Sequence, residues 1–224
     1  MSTLGAATIK SATIHIPPSG GWLADVVLLA DPAPTGQQTI TIGNLSLVGT
    51  VLPGRGGDDI ADRPHVTVAG GAGWGSLIAR PGSYYFAGGV RLSAVLRDLA
   101  TAAGEPYDAP ADSTLGKAFS WDAATPQVPR RLRSVLSDLV ALRAIPTWRV
   151  APNGRTRFDA WPATGEAKKL GEVISRNLGP GIRRIGLDAR VSDFLPGATV
   201  EGVRVARTII VETSGKLFAD VWES

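Results

Sequence analysis

From Ala12 to Ile16 apolar and polar residues alternate, with Ala12, Ile14 and Ile16 on one face and Thr13 and His15 on the other. That period of two is a half-buried strand. Pro17-Pro18-Ser19-Gly20-Gly21 breaks it, and the apolar run Trp22 to Leu29, with Asp25 inside it, reads as a strand covered on both faces. Thr39 to Ile42 alternates again. Gly43-Asn44 then leads into Leu45 to Val51, which together predict a hairpin. Pro53 to Asp59 reads as a glycine-rich loop and His65 to Ala69 as one more short strand. Short strands at this spacing predict a small barrel or sandwich. The cluster Gly70-Gly71-Ala72-Gly73-Trp74-Gly75 ends it as a packed turn, and Tyr84-Tyr85-Phe86 opens the next element as an aromatic strand.

The period then changes. Leu92, Val95, Leu96, Leu99 and Ala103 share one face of a helix that Gly104 and Pro106 terminate. Tyr107 to Val128 has little periodicity and reads as an ordered linker with Phe119 and Trp121 packed down. A second helix is expected from Pro129, with Leu132, Val135, Leu136, Leu139 and Leu142 as its apolar stripe and Pro146 as its stop. Thr147 to Val150 and Thr156 to Trp161 flank Pro152-Asn153-Gly154, a hairpin whose Asn-Gly pair tolerates positive φ. The last sixty residues return to strands: Glu172 to Ser175, Ala198 to Glu201, Val203 to Glu212 and Lys216 to Trp222, with Asn177 to Gly186 as loop or edge. The outline is β, then α+β, then β, as expected when a domain is inserted between two barrels. We divide it at 1–89, 90–168 and 169–224.

Composition narrows the chemistry. The 224 residues include 27 glycines and 16 prolines, well above the average usage of about 12 % for the two together, which agrees with many turns. Cysteine is absent, so disulfides, thiolate catalysis and Cys-based metal sites are excluded. The two histidines, His15 and His65, are far apart in sequence. Asp58, Asp59 and Asp62 lack the spacing of an EF-hand loop and read as a solvated loop. The Gly70–Gly75 cluster lacks the Lys-Ser/Thr end of a phosphate loop, and no Gly-x-Ser-x-Gly elbow occurs. No catalytic, cofactor or metal site is expected. The net charge of +3 is too small to argue for nucleic acid by itself. No run approaches the roughly 18 apolar residues of a membrane helix, and neither a membrane segment nor an export signal is expected. Eighteen of the 23 basic residues are arginine, including Arg183-Arg184 and the group Arg130, Arg131 and Arg133 at the second helix. These read as a solvated face or as contacts to an acidic partner.

One resemblance gathers these pieces. Asp193-Phe194-Leu195-Pro196-Gly197-Ala198-Thr199-Val200, followed by a valine-rich strand and by Gly215 to Trp222, resembles the barrel ending of baseplate and tail-hub proteins of tailed phages and of the hub part of type VI secretion spikes. Leu92 to Glu105 is similar to the helix that opens the inserted domain of those hubs, and Trp148 to Trp161 to its hairpin. Ile16 to Trp22 with Gly70 to Trp74 resembles the first barrel. The resemblance implies an α+β, mostly β fold: two small tube-type β-barrels with an inserted two-helix-plus-hairpin domain. It implies a homotrimer whose six barrels form a pseudo-sixfold ring between the tail tube and the central spike or tail tip. Tail tube or distal tail protein, spike or tail-tip protein and tape measure protein are the implied neighbours. The implied location is the virion tail, assembled in the bacterial host cytoplasm, with DNA only as passing cargo. The residues expected at subunit or partner interfaces are Trp22, Trp74, Tyr84 and Tyr85, on loops near the barrel rim, plus Arg130, Arg131 and Arg133. Two other readings compete. One is a carbohydrate-binding or cell-wall-degrading tail component, from the six tryptophans. The other is a single-stranded nucleic-acid-binding barrel, from arginines and aromatics.

Overall fold

The computed structural model describes residues 2–29, 32–58, 63–163, 173–175, 181–187, 190–213 and 215–223. The chain divides into two compact units. One holds Met1–Gly70, Pro152–Gly154 and Trp161–Ser224; the other holds Gly71–Ala151 and Arg155–Ala160.

The first unit begins with β1 (Thr3–Leu4), β2 (Ala7–Ile16), β3 (Leu23–Leu28), β4 (Gln37–Ile42), β5 (Leu45–Asp58) and β6 (Pro64–Ala69). All neighbours pair antiparallel in the order β1-β4-β5-β6-β3-β2, and β1 also pairs with β2, so the six strands close into a barrel. Alternation sets the inside: Ile14, Ile16, Ala24, Val26, Leu28, Ile40, Ile42, Leu47 and Val68 are buried. Each large aliphatic side chain taken from water contributes roughly 1.5–3 kcal/mol. Gly43-Asn44 makes the expected two-residue turn, with Ile42 opposite Leu45. Two expectations change. β3 is not covered on both faces, because Leu23, Asp25 and Val27 stay half-exposed while Ala24, Val26 and Leu28 point inward. The segment after Val51 is strand rather than loop: β5 continues to Asp58 by pairing Gly56 with Val66 and Asp58 with Pro64, after a register shift. Asp59 and Asp62 lie outside the described residues.

The second unit contains β7 (Gly82–Tyr85), β8 (Val90–Arg91), α1 (Leu92–Ala103), β9 (Thr114–Leu115), β10 (Ala118–Trp121), α2 (Leu132–Ala141), β11 (Arg149–Val150) and β12 (Thr156–Arg157). α1 spans the expected residues, with Leu92, Val95, Leu96 and Leu99 buried and Gly104 left-handed at its end. β9 and β10 were not expected: they arise where the linker pairs with β8 and β7, which buries Phe119 and Trp121. α2 starts three residues after Pro129. Arg131 is extended there and bridges to Leu77, so its backbone joins a strand contact rather than the helix. The helix ends at Ala141, which leaves Leu142, expected in the stripe, 63 % exposed. The hairpin β11–β12 is present, yet only Gly154 has positive φ. Proline cannot take that conformation, so Pro152-Asn153-Gly154 forms a three-residue connection closed by Ala151 N–H to the Arg155 carbonyl at 2.9 Å.

The first unit resumes with β13 (Val173–Ser175), β14 (Ile182–Leu187), β15 (Thr199–Val200), β16 (Val203–Thr213) and β17 (Lys216–Glu223). Glu172 and residues 177–180, part of the expected strand and loop, lie outside the described residues. β16 pairs with β2 from Thr208 opposite Ile16 to Thr213 opposite Ser11, and the sheet continues through β17, β14 and β13. Arg183-Arg184 therefore sits in a strand, not in a loop. A second core forms under these strands from Ile185, Phe194, Ala198, Val200, Val205, Ala219 and Val221. The Pro196-Gly197 step turns the chain into it. Gly197 has φ +89°, and its N–H donates to the Val205 carbonyl at 2.8 Å.

Trp22 shows how closely the barrel end is fitted. A Cβ added at Gly49 or Gly70 would lie less than 3.0 Å from Trp22 ring atoms. Gly70→Ala should therefore destabilise by about 1–3 kcal/mol, read as a lower urea midpoint at unchanged slope. Gly75→Ala, where the added carbon meets nothing within 4 Å, should leave the midpoint within about 0.5 kcal/mol. Equal midpoints for both variants would rule out the seated ring.

Candidate functional site

The residues expected at interfaces separate into three groups. Trp22 and Trp74 are interior, 2 % and 1 % exposed, and present no ring to a neighbour. Trp74 donates its indole N–H to the Thr156 hydroxyl at 2.8 Å and lies 6.1 Å from the Trp148 ring. Alternation along β7 separates the tyrosines. Tyr84 turns inward to Trp121, 5.6 Å away, and donates to Asp98 at 2.7 Å, whereas Tyr85 is 73 % exposed. Arg130 is paired with Asp138 at 2.7 Å, Arg131 donates to the Gly75 carbonyl, and Arg133 is exposed with no side-chain partner among the described residues. Tyr85 and Arg133 are thus the expected residues that the fold leaves open to solvent and uncommitted. Phe86, Leu77, Val128 and Leu142 were missed. They join Tyr85 as exposed large apolar residues of the second unit, against Leu29 alone among the described residues of the first. Leu142 followed the helical stripe in sequence, so no local signal marked it as exposed.

Charge is spent mostly on internal pairing. Arg149, buried, holds Asp159 through two nitrogens and ties the ends of the β11–β12 hairpin together. Asp108 accepts from Arg155 and is ion-paired with Arg157 at 3.0 Å, and the Arg155 hydrogen bond holds its carboxyl below the usual range. Glu105 is shifted the other way: burial raises it, and the Gly73 N–H it accepts at 2.6 Å offsets that only in part. Burial and the bond to Asp98 push the Tyr84 phenol above its ordinary value. In the first unit Arg183 pairs with Glu201 and Glu223, and Arg184 grips Asp220 with two bonds of 2.7 Å. The arginine pair thus serves the sheet itself.

Two surfaces remain for recognition. The first is the face of the long sheet turned away from the barrel core. Across β6, β3, β2, β16, β17 and β14 one register row runs Thr67, Asp25, Thr13, Val211, Phe218 and Gly186, with Thr67 buried and the others half-buried. The row mixes hydroxyls and apolar groups, and Asp25 is held by the Thr67 hydroxyl at 2.9 Å. The second is the apolar surface of the α+β unit. A cavity of about 540 Å³ there is lined by Leu77, Pro81, Tyr84, Asp98, Trp121 and Leu132, among others. Asp98, its carboxylate, is already engaged by Tyr84 and Arg97. No group of three His, Asp or Glu residues that could hold a metal occurs among the described residues, and no described helix is long and apolar enough to cross a membrane. Five of the six tryptophans, the residues from which the carbohydrate reading was drawn, are buried, and Trp222 is half-buried.

This fold is similar to those of solved phage tail proteins. The chain is similar over its whole length to the 43 kDa tail protein of prophage MuSo2 from Shewanella oneidensis, with a TM-score of 0.62, 9 % identity and 97 % of that chain covered. It is equally similar to the tail protein from Neisseria meningitidis MC58, with a TM-score of 0.62, 10 % identity and 95 % coverage. A third likeness is to the Escherichia coli c3393 protein, a type VI secretion component described as structurally similar to the T4 tail proteins gp27 and gp5. There the TM-score is 0.58, with 10 % identity and 77 % of that chain covered. No family model matches the chain, and no curated protein matches its sequence. The resemblance drawn from short sequence motifs is thus shown at the level of fold.

The opposite shifts of Asp108 and Glu105 give pH effects of opposite sign. Asp108, lowered, stabilises fully above its ordinary value of 3.8, and that contribution is lost as pH falls through its value in the folded chain. Glu105, raised, costs stability when ionised at neutral pH, and acid relieves that cost. Asp108→Asn should lose stability at pH 7, with the deficit to the parent shrinking at pH 3. Glu105→Gln should gain stability relative to the parent at pH 7 and lose that advantage in acid. Urea melts at both pH values measure this, and deficits independent of pH would exclude it.

Proposed function

We propose that the chain is a structural subunit of a phage tail or a related injection machine, a hub in which three copies form a pseudo-sixfold ring. The observation that carries this reading is the full-length fold match to tail proteins, built on a closed barrel and a second core beneath one continuous sheet. Two β segments per chain would let three chains supply six comparable positions. The three-part division at 89 and 168 would then separate two ring-forming segments from one decorating module. A ring of identical chains closes through heterologous contacts. The sheet has one such surface ready, since among the described residues β13 pairs only with β14 and leaves its other edge open. In this role the hub joins the tail tube or distal tail protein to the central spike or tail tip, with tape measure protein and DNA passing through. It acts in the virion tail after assembly in the host cytoplasm. Its work is mechanical, with no catalytic step.

Light scattering of the purified chain at rising concentration should reach three times the mass of one chain, and negative-stain images should show a ring. A species that remains monomeric at high concentration, with no ring in the presence of tube or spike protein, would overturn the hub.

A further inference from the structure

On the face of the long sheet that carries Phe218, two aromatic rings of β17 each hold an arginine from a neighbouring strand. Phe218 and Trp222 are four residues apart on β17, so strand alternation puts both rings on the same side. Arg184 of β14 lies 5.8 Å over the Phe218 ring, and Arg207 of β16 lies 4.9 Å over the Trp222 ring. Asp220 falls between the two rings, opposite Arg184 in register, and Arg184 grips it with two bonds of 2.7 Å. Stacking fixes the plane of a guanidinium and leaves its fork of N–H donors for a carboxylate. At Arg184 the chain supplies all three parts itself: ring, arginine and carboxylate.

Arg207 repeats the first two parts without the third. It is exposed, and beside the Trp222 ring it meets His15 of β2, whose Nδ1 lies 3.4 Å from one of its terminal nitrogens. An arginine can only donate, so Nδ1 accepts and occupies one N–H of the fork. No carboxylate among the described residues pairs with Arg207: Asp220 is held by Arg184, and Glu201 and Glu223 by Arg183. A guanidinium fixed from two strands has given up rotamer freedom before a partner arrives, which lowers the entropic cost of binding one. The unit that carries it has 12 Lys and Arg against 13 Asp and Glu, a net −1. It lacks the positive field that draws a nucleic-acid backbone, and a single fixed fork suits a single carboxylate. We infer that Arg207, seated on Trp222 and steadied by His15, is the anchor for an aspartate or glutamate side chain of a neighbouring protein, which completes there the arrangement that Arg184 makes with Asp220. The inference concerns whichever protein lies against this face and does not depend on three copies forming a ring.

The test follows the arginine Nε–H resonances of the isotopically labelled full chain, with Arg207 assigned by the loss of its signal in Arg207→Lys. The probe is the peptide acetyl-Ala-Glu-Ala-amide, and acetyl-Ala-Gln-Ala-amide at matched ionic strength is the uncharged control. The glutamate peptide should shift the Arg207 signal saturably, and the glutamine peptide should not. The Arg184 signal should stay in place, because Asp220 already occupies its fork. Arg207→Lys keeps the charge and loses the fork, and Trp222→Leu frees the guanidinium. Each should bind the glutamate peptide severalfold more weakly, read from the backbone amides of β16, with circular dichroism confirming the fold. A glutamate peptide that moves Arg207 no more than Arg184, or folded Arg207→Lys that binds it as tightly as the parent, would overturn the anchor. Tighter binding of single-stranded oligothymidylate than of the peptide would give the site to phosphate and overturn it as well. Ring formation is read separately by light scattering, so the anchor and the hub can fail independently.

Discussion

The fold depends on one seam, the antiparallel pairing of β2 with β16. Six residues of β2, Ser11 to Ile16, meet Thr208 to Thr213 across nearly the whole length of the chain. Without it the N-terminal barrel and the C-terminal strands would be separate pieces, each with an open edge. With it they form one sheet with a core on each side of the seam. Ile14 and Ile16 belong to the closed barrel, while Val205, Ala219 and Val221 belong to the second core. Such non-local pairing is costly in loop-closure entropy. The α+β unit, held together by its own helices and short ribbons, lies within that loop in sequence and reduces the disordered chain that closure must constrain.

The seam also decides where the sheet ends. Closure of β1 onto β2 removes the barrel edges that would invite uncontrolled pairing. The C-terminal strands do not close in this way among the described residues. β14 and β17 are instead bound to each other by pairs that span the sheet: Arg184 with Asp220, and Arg183 with Glu223. Arg207 lies 4.9 Å over Trp222 and approaches His15 across the seam at 3.4 Å. These groups tie neighbouring strands together, and the arginine–carboxylate pairs keep the charges they carry matched within the chain.

Much of this was legible in the residues, and the exceptions have physical causes. Ala12, Ile14 and Ile16 announced an inward face by alternation, and Leu92, Val95, Leu96 and Leu99 announced α1, because both signals are local. β9 and β10 were missed, and β14 was read only as loop or edge, because each is a strand only by virtue of its partner. Gly82 opposite Trp121 and Arg184 opposite Asp220 are pairings between residues more than thirty positions apart. Trp22 and Trp74 were assigned to a rim because glycines surround them. The same glycines are what let the barrel end close over Trp22, so their small size signalled burial and not exposure. Leu142 misled in the opposite sense, since the stripe it continues ends one residue earlier, at Ala141.

The distribution of unsatisfied groups separates the roles of the two units. In the first, Leu29 is the one exposed large apolar side chain among the described residues, and the described arginines of its sheet edge, Arg183 and Arg184, meet carboxylates. In the second, Leu77, Tyr85, Phe86, Val128 and Leu142 remain exposed, and Lys117, Arg133 and Arg143 have no side-chain partner among the described residues. Scattered apolar residues alone would mean little. Their concentration with free cations on fewer than half the residues means that this unit retains binding capacity its own fold does not use. The α+β unit is therefore the one of the two whose described surface offers exposed apolar and partnerless cationic groups together to a neighbour.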